Sequence, residues 1–485
     1  MNSLEKYYSA KLKSIGAQGS TFNKIKDKDY CGVFLEQGLG KSKVAVDLVM
    51  YWLKKKTVSH AIVFTKKGLI SNWKEEIRKN SLVNFGILTG NISENSNLFF
   101  SNINFLITNF EVLSKEFDRI KELAKHNKVA IILDESAKIK NPDSKLTKQF
   151  LEIAPFFSKR CIMTGTPSAN RPQDLWSQIY FLDQGESLGS CYKKFKTKVD
   201  LSNKLKNNVE AQKSFAENLN KILGLISDFV IRETKKSSNL QLPEKIILFE
   251  YADWEDNQKR MYEELREQLK IFIKKKGMNI EENAEPVLKR IIRLMQLTSN
   301  PGLIDDSYKF EPGKVKKLKE IIEQIIKKDE KCIIWSSYVK NVSWLSNELA
   351  KYEPLSLHGK QTNSERDNSI QLFKNIKKYR LLIATPQSSK EGLTLTVANH
   401  CVFFDRTLSL DDYLQSQDRI HRISQSKTCY IYNLCIENSI DEWVDKLIYA
   451  KSLSSKLALG DLDIDTFNEQ IKYDFGSIIK KILGI

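Results

Sequence analysis

Long hydrophobic runs are missing from this chain of 485 residues. No apolar stretch approaches the roughly 18 residues that a membrane-spanning helix needs. The first residues, Met1 to Lys6, also lack the apolar core of a secretory signal peptide. These two absences predict a cytosolic protein that has no membrane partner.

Cysteine and histidine are sparse, with seven and five residues respectively. No two cysteines form a Cys-x-x-Cys pair, and several lie in apolar stretches such as Cys332 to Trp335. An odd number of scattered cysteines argues against a disulfide framework or a zinc site. We therefore expect reduced, buried thiols.

Arginine is also scarce, since only 14 of the 77 basic residues are arginine, although the formal net charge is +17. Such an excess of positive charge is typical of proteins that bind a polyanion. A lysine-rich, isoleucine-rich composition is equally what an AT-rich genome produces. The charge alone leaves both explanations open, and a basic run such as Lys274 to Lys276 also fits a solvated face.

The length of the chain indicates two to four domains. In the first 230 residues, short apolar runs alternate with amphipathic helical patterns, and a loop follows each run. These runs are Val33 to Leu35, Ala61 to Phe64, Phe105 to Ile107, Ala130 to Leu133 and Cys161 to Met163. Short apolar strands between helices predict a parallel sheet that helices cover on both faces.

Charged helical patterns dominate from about residue 186 to residue 310, and the α/β pattern resumes after Pro312-Gly313. The strands predicted there are Ile333 to Trp335, Leu381 to Ile383 and Val402 to Phe404. These strands predict a second lobe of the same architecture. The predicted boundaries are 1–235 for lobe one with a helical protrusion at about 186–230, 236–310 for a linker and protrusion, 311–445 for lobe two, and 446–485 for a C-terminal helical brace.

A candidate phosphate loop, Leu35 to Ser42, lies between an apolar strand and a helical run. Gly38 and Gly40 would let backbone N–H groups approach phosphate oxygens. Lys41 would reach the β- and γ-phosphates, and Ser42 would ligate Mg²⁺. The strict pattern is incomplete, because Leu35 stands where the usual loop has glycine.

An acidic pair, Asp134-Glu135, ends the apolar strand that begins at Val129. Carboxylates at the end of a strand lie where an open α/β sheet binds its ligands. Asp134 would hold Mg²⁺, and Glu135 would orient or deprotonate the attacking water. The distance from Lys41 along the chain leaves room for three strand-helix units.

Two arginines near the end, Arg419 and Arg422, are three positions apart and would share one face of a helix. Such a pair suits a γ-phosphate transition state, where an arginine finger is worth about 10³–10⁵ in rate. Supplied by a second lobe, the pair would couple hydrolysis to lobe closure. Taken alone, the pattern is more typical of a salt-bridged surface helix, given Asp411, Asp412 and Asp418 nearby.

Three further segments end predicted strands with small or hydroxyl residues, which suits a close approach to the phosphates of a nucleotide or a nucleic acid. They are Thr108 to Phe110, Thr164 to Pro167 and Gly392 to Thr396. Tryptophans such as Trp73 lie in amphipathic patterns, so we predict core packing for them rather than base stacking.

In order and content, these motifs resemble those of the Swi/Snf-type ATPases of helicase superfamily two, over about residues 30 to 445. The last motif, Asp418 to Gln425, and the inter-lobe segment, Phe229 to Ile246, are the most specific matches. The stretch from Ile62 to Ile77, with Asn72-Trp73, resembles the family's second motif, which contacts DNA.

The resemblance implies an α/β fold of two RecA-like parallel-sheet lobes, with helical protrusions between them and a C-terminal helical tail. It implies a motor that uses ATP and Mg²⁺ to move along double-stranded or branched DNA. For the nucleotide it adds three contacts, which are Gln18, Gly392 and Gln415. Residues expected to face DNA are Lys66, Lys67, Asn72, Thr108 and Asn109 in lobe one, and Ser336, Ser337, Thr385 and Thr396 in lobe two.

The chain departs from the family pattern at three positions. Leu35 is described above, Ala137 replaces the usual histidine of the acidic motif, and Thr65 replaces the usual proline of the second motif. None of these changes removes Lys41 or Glu135, so we expect ATP hydrolysis.

Little chain lies outside the motifs, as in the minimal stand-alone versions of bacteria and phages. That resemblance implies a role in replication, recombination or repair, a recruiting protein of such a complex, and the cytoplasm of a bacterial or phage-infected cell. Two alternatives stay open. One is an RNA helicase or a restriction-type motor subunit, and the other is a nucleotide-switched DNA clamp without motor activity.

Overall fold

The computed structural model describes residues 11–12, 14, 16–101, 103–167, 172–199, 209–238, 242–275, 284–388, 393–422, 424–463 and 466–467. The chain divides into two compact units. The first unit contains the chain up to Gln241 and a second segment that begins at Leu453. The second unit extends from Leu242 to Ser452.

The first unit contains a seven-stranded parallel sheet with strand order β3-β4-β2-β5-β6-β1-β7. Its strands are β1 (Tyr30–Leu35), β2 (His60–Thr65), β3 (Phe85–Ile87), β4 (Phe105–Asn109), β5 (Val129–Asp134), β6 (Lys159–Met163) and β7 (Val230–Glu233). The central strands are buried on both faces, which explains why they are continuous apolar runs in the sequence. The predicted parallel sheet is confirmed.

Helices cover both faces of this sheet. They are α1 (Ala17–Ile25), α2 (Lys41–Lys54), α3 (Ile70–Asn80), α4 (Ile92–Phe100), α5 (Leu113–His126), α6 (Lys145–Ile153), α7 (Trp176–Asp183), α8 (Tyr192–Val199) and α9 (Val209–Ile226). Helix α2 packs against α1 and α3 and is buried along nearly all of its length. The helix that follows the candidate phosphate loop is therefore held inside the core.

All seven strands run in one direction, so their carboxyl ends meet along one side of the sheet. We call this side the carboxyl edge, and its residues are Leu35, Thr65, Asn109, Asp134 and Met163. Each residue ends a strand, and the strand order sets which loops are neighbours there. Parallel α/β sheets bind ligands at this edge.

The second unit contains a six-stranded parallel sheet with strand order β10-β11-β9-β12-β13-β8. Its strands are β8 (Lys245–Ala252), β9 (Cys332–Trp335), β10 (Leu355–Leu357), β11 (Leu381–Ala384), β12 (His400–Phe403) and β13 (Cys429–Ile436). Its helices are α10 (Asp256–Lys275), α11 (Ala284–Ser299), α12 (Gly313–Lys327), α13 (Val339–Glu348), α14 (Asn363–Asn375), α15 (Leu410–Gln417) and α16 (Ile440–Ala458). The second predicted α/β lobe is confirmed.

Strand β8 lies inside the segment that the sequence analysis assigned to the linker, yet it pairs with β13 along eight residues. The sequence analysis did not recognise β8 as a strand of this lobe because it lies at the edge of the sheet, where one face stays open. Ile247, Phe249 and Tyr251 are 43%, 49% and 53% exposed. The second unit thus begins near Leu242 rather than near residue 311.

Helix α16 covers the first part of the predicted C-terminal brace, and its remainder beyond Phe467 lies outside the described residues. None of the helices in the described part of the chain is long and apolar enough to span a membrane. Six of the seven cysteines are buried and Cys191 is exposed.

Candidate functional site

The candidate phosphate loop connects β1 to α2 at the carboxyl edge. Gly38 and Gly40 have φ angles of 89° and 85°, a left-handed backbone that glycine adopts without strain. Lys41 begins α2, is 8% exposed, and donates from Nζ to the carbonyl oxygen of Leu35 at 3.0 Å. The loop therefore has the tight turn and the adjacent helix N-terminus that a phosphate cradle needs.

Leu35, the departure from the strict loop pattern, is the last residue of β1 and is fully buried. Its carbonyl accepts the bond from Lys41, so the chain reverses after this position rather than at it. The turn is made by Gly38 and Gly40, which explains how the loop accommodates a leucine.

Gln18 of α1 reaches this loop. Its Nε2 donates to the carbonyl oxygen of Leu39 at 3.3 Å, and a Cβ placed on Gly40 would lie 2.3 Å from the same nitrogen. The predicted nucleotide-contacting glutamine is therefore beside the loop, although 21 residues separate it from Leu39.

Asp134 lies at the end of β5 and is 7% exposed. Its Oδ2 accepts two hydrogen bonds, from Thr65 Oγ1 at 2.9 Å and from Trp73 Nε1 at 2.8 Å. Burial raises the pKa of the Asp134 carboxyl, and the charge of Glu135 raises this pKa further. The two hydrogen bonds and the charge of Lys41 act in the opposite direction on the same pKa.

Glu135 has a left-handed backbone, with φ 61° and ψ 53°. A residue other than glycine in this region costs about 1–3 kcal/mol, and such strain is concentrated at functional sites. Gln37 of the phosphate loop donates from Nε2 to Glu135 Oε1 at 3.3 Å. The turn separates the Glu135 side chain from that of Asp134 and brings it beside the loop.

Strand β6 carries the segment Thr164 to Pro167 to the same edge. A Cβ on Gly165 would lie 3.1 Å from Cγ of Gln37, so the Gln37 side chain rests directly on this glycine. Ser136 donates to Gln178 Oε1 at 2.7 Å, and Gln178 Nε2 donates to the carbonyl oxygen of Pro167 at 2.8 Å. Ala137 occupies the position of the family's histidine, and in this chain Ser136 and Gln178 connect the acidic motif to the segment that follows β6.

The donor set at the carboxyl edge fits Mg²⁺. This ion takes oxygen ligands and is usually held by one or two carboxylates together with the phosphates of a nucleotide. Asp134 supplies a buried carboxylate, and the hydroxyl of Ser42 follows Lys41 at the start of α2. No cluster of three or more His, Cys, Asp or Glu side chains suited to a metal ion occurs in the described ranges.

Of the residues expected to contact DNA in lobe one, four are accessible and one is not. Lys66 and Lys67 follow β2, Asn72 lies in α3, and Asn109 ends β4, which pairs with β2. Thr108 is fully buried, and its hydroxyl donates to the carbonyl oxygen of Leu88. Thr108 therefore does not meet the expectation, because neighbouring residues of a strand point to opposite faces.

The two arginines of the second unit are not on a helix, which corrects the sequence analysis. Helix α15 ends at Gln417, and Arg419 and Arg422 lie in the turns after it. Each Nε donates to the carbonyl four residues earlier, and each Nη1 donates to the segment that follows residue 392, at Leu393 O and Thr394 Oγ1. These hydrogen bonds, rather than helical spacing, hold both guanidinium groups against adjacent residues of one segment.

Two other expected nucleotide contacts belong to this unit. Gln415 is 3% exposed, its Nε2 donates to Asp411, and its Oε1 is buried without a hydrogen-bond partner among the residues that the structure describes. Gly392 lies outside the described residues.

The predicted DNA contacts of the second unit divide in the same way. Ser336 is fully buried and donates to Asp405, and Thr385 is 4% exposed. Neither side chain meets the expectation, because both point into the unit. Ser337 is half-buried as a residue but its hydroxyl oxygen is buried, so it does not meet the expectation either. Thr396 is half-buried, with its hydroxyl at 2.9 Å from that of Ser424.

Sequence reasoning missed three residues of this site: Gln37, Thr65 and Gln178. Thr65 was noted only as a departure from the family, and Trp73 was expected only to pack. Trp73 is indeed buried, at 2% exposure, but its indole nitrogen also reaches Asp134. A polar residue at the end of an apolar strand, as Thr65 is, was the signal that could have revealed the contact.

Comparisons with known proteins agree with this geometry. The model of the SNF2-related domain matches residues 24–303, and that of the helicase conserved C-terminal domain matches residues 313–424. An uncharacterized ATP-dependent helicase of Mycoplasma genitalium is 28% identical over 451 residues, which cover 92% of this chain and 41% of the relative. The ATP-dependent DNA helicase DDM1 of Arabidopsis thaliana is 24% identical over 458 residues, which cover 88% and 59%.

A putative ATP-dependent helicase/translocase of Bacillus subtilis, YwqA, is 24% identical over 454 residues, covering 89% of this chain and 46% of the relative. The chain thus spans less than two thirds of the length of these relatives. Among solved structures, one match is to the SWI2/SNF2 ATPase core of Sulfolobus solfataricus in complex with double-stranded DNA. This match covers 98% of each of the two chains, with 24% identity and a TM-score of 0.44.

Proposed function

This chain belongs to the SNF2-related family, and from that premise we propose that it is a DNA-dependent ATPase that moves along double-stranded or branched DNA. The observation that carries the proposal is the arrangement of the carboxyl edge. There the phosphate loop follows β1, and Asp134 and the strained Glu135 lie at the end of β5; these two strands flank β6 in one sheet.

In this proposal Lys41 binds the β- and γ-phosphates, and Ser42 and Asp134 hold Mg²⁺. The ion would neutralise the charge that develops on the transferred phosphoryl group. Glu135 orients the attacking water and accepts its proton, while Gln18 contacts the base. Arg419 and Arg422 supply positive charge from the second unit, which makes hydrolysis depend on the arrangement of the two units.

In the same proposal, the accessible polar residues of both units contact DNA. They are Lys66, Lys67, Asn72 and Asn109 in the first unit and Thr396 in the second. Ser337 is not among them, because its hydroxyl oxygen is buried. Lysine, asparagine and threonine side chains are among the groups that contact DNA phosphates. The name DNA helicase of one relative supports DNA as the track, and the name helicase/translocase of another supports a motor.

For the biological setting, we propose replication, recombination or repair in the cytoplasm of a bacterial or phage-infected cell, with a recruiting protein that directs the motor. Bacterial helicases among the relatives support this setting.

The decisive experiment compares ATP hydrolysis without nucleic acid and with single-stranded DNA, duplex DNA, a branched junction or RNA. Strong stimulation by duplex or junction DNA is the expected result. Stimulation by RNA alone would favour an RNA helicase instead. Absence of turnover with every nucleic acid, together with nucleotide-dependent DNA binding, would favour a clamp.

Two variants test the assigned roles. Lys41→Ala should abolish turnover and leave DNA binding intact, and Glu135→Gln should abolish turnover while ATP still binds. Lys55→Ala, an exposed lysine just after α2, is the control for a change of charge. Unchanged DNA-stimulated turnover in Glu135→Gln would refute the role of Glu135 as the base.

A further inference from the structure

Within the described part of the chain, the carboxylate of Asp134 accepts hydrogen bonds from two side chains of one short segment, residues 65–73. The donors are the Thr65 hydroxyl and the Trp73 indole N–H, and both bind Oδ2. Thr65 is fully buried and Trp73 is 2% exposed, so solvent does not compete for these bonds. Hydrogen bonds to an ionised carboxylate are roughly twice as strong as those between neutral groups.

The same segment presents its proposed DNA contacts to the surface. Lys66 follows Thr65 directly, and Asn72 precedes Trp73 directly. A short 3-10 helix, Lys67–Leu69, and the first turn of α3 join the two ends. Each buried donor is therefore one peptide unit away from a side chain assigned to DNA.

This connection gives a physical route between the two ligands. A displacement of Lys66 or Asn72 by a DNA backbone moves the adjacent peptide units, and with them Thr65 Oγ1 and Trp73 Nε1. Because both donors bind one oxygen, such a movement changes the orientation of the Asp134 carboxylate. Thr65 matters here because it stands where the family pattern has proline, which has no hydroxyl to donate.

We propose that Thr65 and Trp73 are positioning residues that couple DNA binding on segment 65–73 to the carboxylate of Asp134, and hence to the Mg²⁺-nucleotide. The inference rests on the proposed function and adds the route by which DNA regulates the ATP site. Coupling of two binding sites is reciprocal, so the Mg²⁺-nucleotide must change DNA affinity by the same factor as DNA changes nucleotide affinity.

The test measures DNA affinity rather than turnover. The full chain is titrated onto a fluorescent duplex, followed by anisotropy, with and without Mg²⁺ and a non-hydrolysable ATP analogue. We expect the analogue to change the affinity of the wild-type protein by about fivefold or more. In Thr65→Val, which removes one donor at nearly constant volume, and in Trp73→Phe, which removes the other donor together with part of the ring system, this change should fall to less than half of its wild-type value.

Matched controls exist within the chain. Thr298 is also fully buried and donates to an aspartate, Asp441, in the second unit. Trp52 is 1% exposed and donates to a backbone carbonyl, that of Lys26. Thr298→Val and Trp52→Phe remove equivalent hydrogen bonds away from Asp134, so both should keep the wild-type coupling.

Thr65→Ser completes the set, because it restores the hydroxyl and should restore the coupling even if Thr65→Val is less stable. Coupling in Thr65→Val and Trp73→Phe that equals the wild-type value would overturn the inference. So would a loss that Thr65→Ser fails to rescue or that the controls share. A wild-type protein that neither binds duplex DNA nor hydrolyses ATP would instead refute the proposed function.

Discussion

Single side chains decide how the strained Glu135 is oriented. Its left-handed backbone turns it away from the strand direction, and Gln37 then holds its carboxylate at 3.3 Å. Gln37 is itself confined, because it is 9% exposed and rests on Gly165. A base that is fixed before the nucleotide arrives needs less reorganisation in the transition state.

Gln37→Leu tests this orientation, because leucine has a similar volume and no amide. A hydrogen bond to a charged group contributes about 1.5–3 kcal/mol. We therefore expect kcat for DNA-stimulated hydrolysis to fall by roughly 10- to 100-fold with little change in the KM for ATP. Steady-state kinetics at saturating duplex DNA measure both constants. An increase in KM at unchanged kcat would mean that Gln37 binds ATP rather than positioning Glu135.

At the scale of elements, the turn between β1 and α2 depends on the glycine before the helix. Gly40 combines a positive φ with a close approach of Gln18, so a side chain meets both backbone strain and a steric clash. We expect Gly40→Ala to weaken ATP binding by about 5- to 150-fold, since the backbone strain alone costs about 1–3 kcal/mol.

Titration with a fluorescent ATP analogue checks this expectation. Gly224→Ala is the matched control, because a Cβ there meets nothing within 4 Å and α9 favours alanine over glycine. Equal ATP affinity in both variants would show that the loop conformation does not depend on Gly40.

A second contact between elements joins the turn after β5 to α7. Ser136 is fully buried, and its removal leaves Gln178 Oε1 without this donor. An unsatisfied buried acceptor costs about 1–3 kcal/mol, so Ser136→Ala should lower the free energy of unfolding of the first unit by that amount.

Urea denaturation followed by tryptophan fluorescence measures the loss. Ser227→Ala removes an exposed hydroxyl that donates to the carbonyl of Gly224, and it should leave stability within experimental error. Equal stabilities of the two variants would show that Gln178 finds another donor.

For the whole molecule, the net charge of +17 matters only if the lysines meet phosphates. The logarithm of the DNA-binding constant should then fall linearly with the logarithm of the salt concentration, with a slope of about −0.9 for each phosphate neutralised. Lys66→Ala and Lys67→Ala should each reduce the slope by about 1.

This expectation is tested by measuring DNA binding from about 50 to 300 mM salt, which is roughly the range over which counterion release is resolved. Lys351→Ala is the control, because this exposed lysine forms an ion pair with Glu323. A flat salt dependence would mean that the charge reflects composition alone.

The course of the chain is also a property of the whole molecule. The chain leaves the first unit after Gln241 and re-enters it at Leu453. Asp461 of this returning segment forms an ion pair with Arg232 of β7 at 2.8 Å. Arg232 in turn donates to the carbonyl oxygen of Phe34, next to the phosphate loop. The first unit is therefore not a contiguous stretch of sequence, and the predicted end of lobe one at residue 235 omits this returning segment.

The sequence by itself determined the fold class and the positions of the ATP motifs. Short apolar runs such as Ala130 to Leu133 predict buried parallel strands because burial on both faces requires apolar residues at every position. Gly38 to Ser42 and Asp134-Glu135 were recognisable because their chemistry depends on neighbours in the chain. Local patterns are sufficient wherever adjacent residues decide the outcome.

Only the tertiary structure decided which distant groups meet. Thr65 and Trp73 reach Asp134 across 69 and 61 residues, and Arg232 meets Asp461 across 229. The assignment of β8 to the second sheet likewise depends on pairing with β13, far along the chain. Such contacts are stabilised by side chains that come together only after the sheets form, so no local pattern contains them.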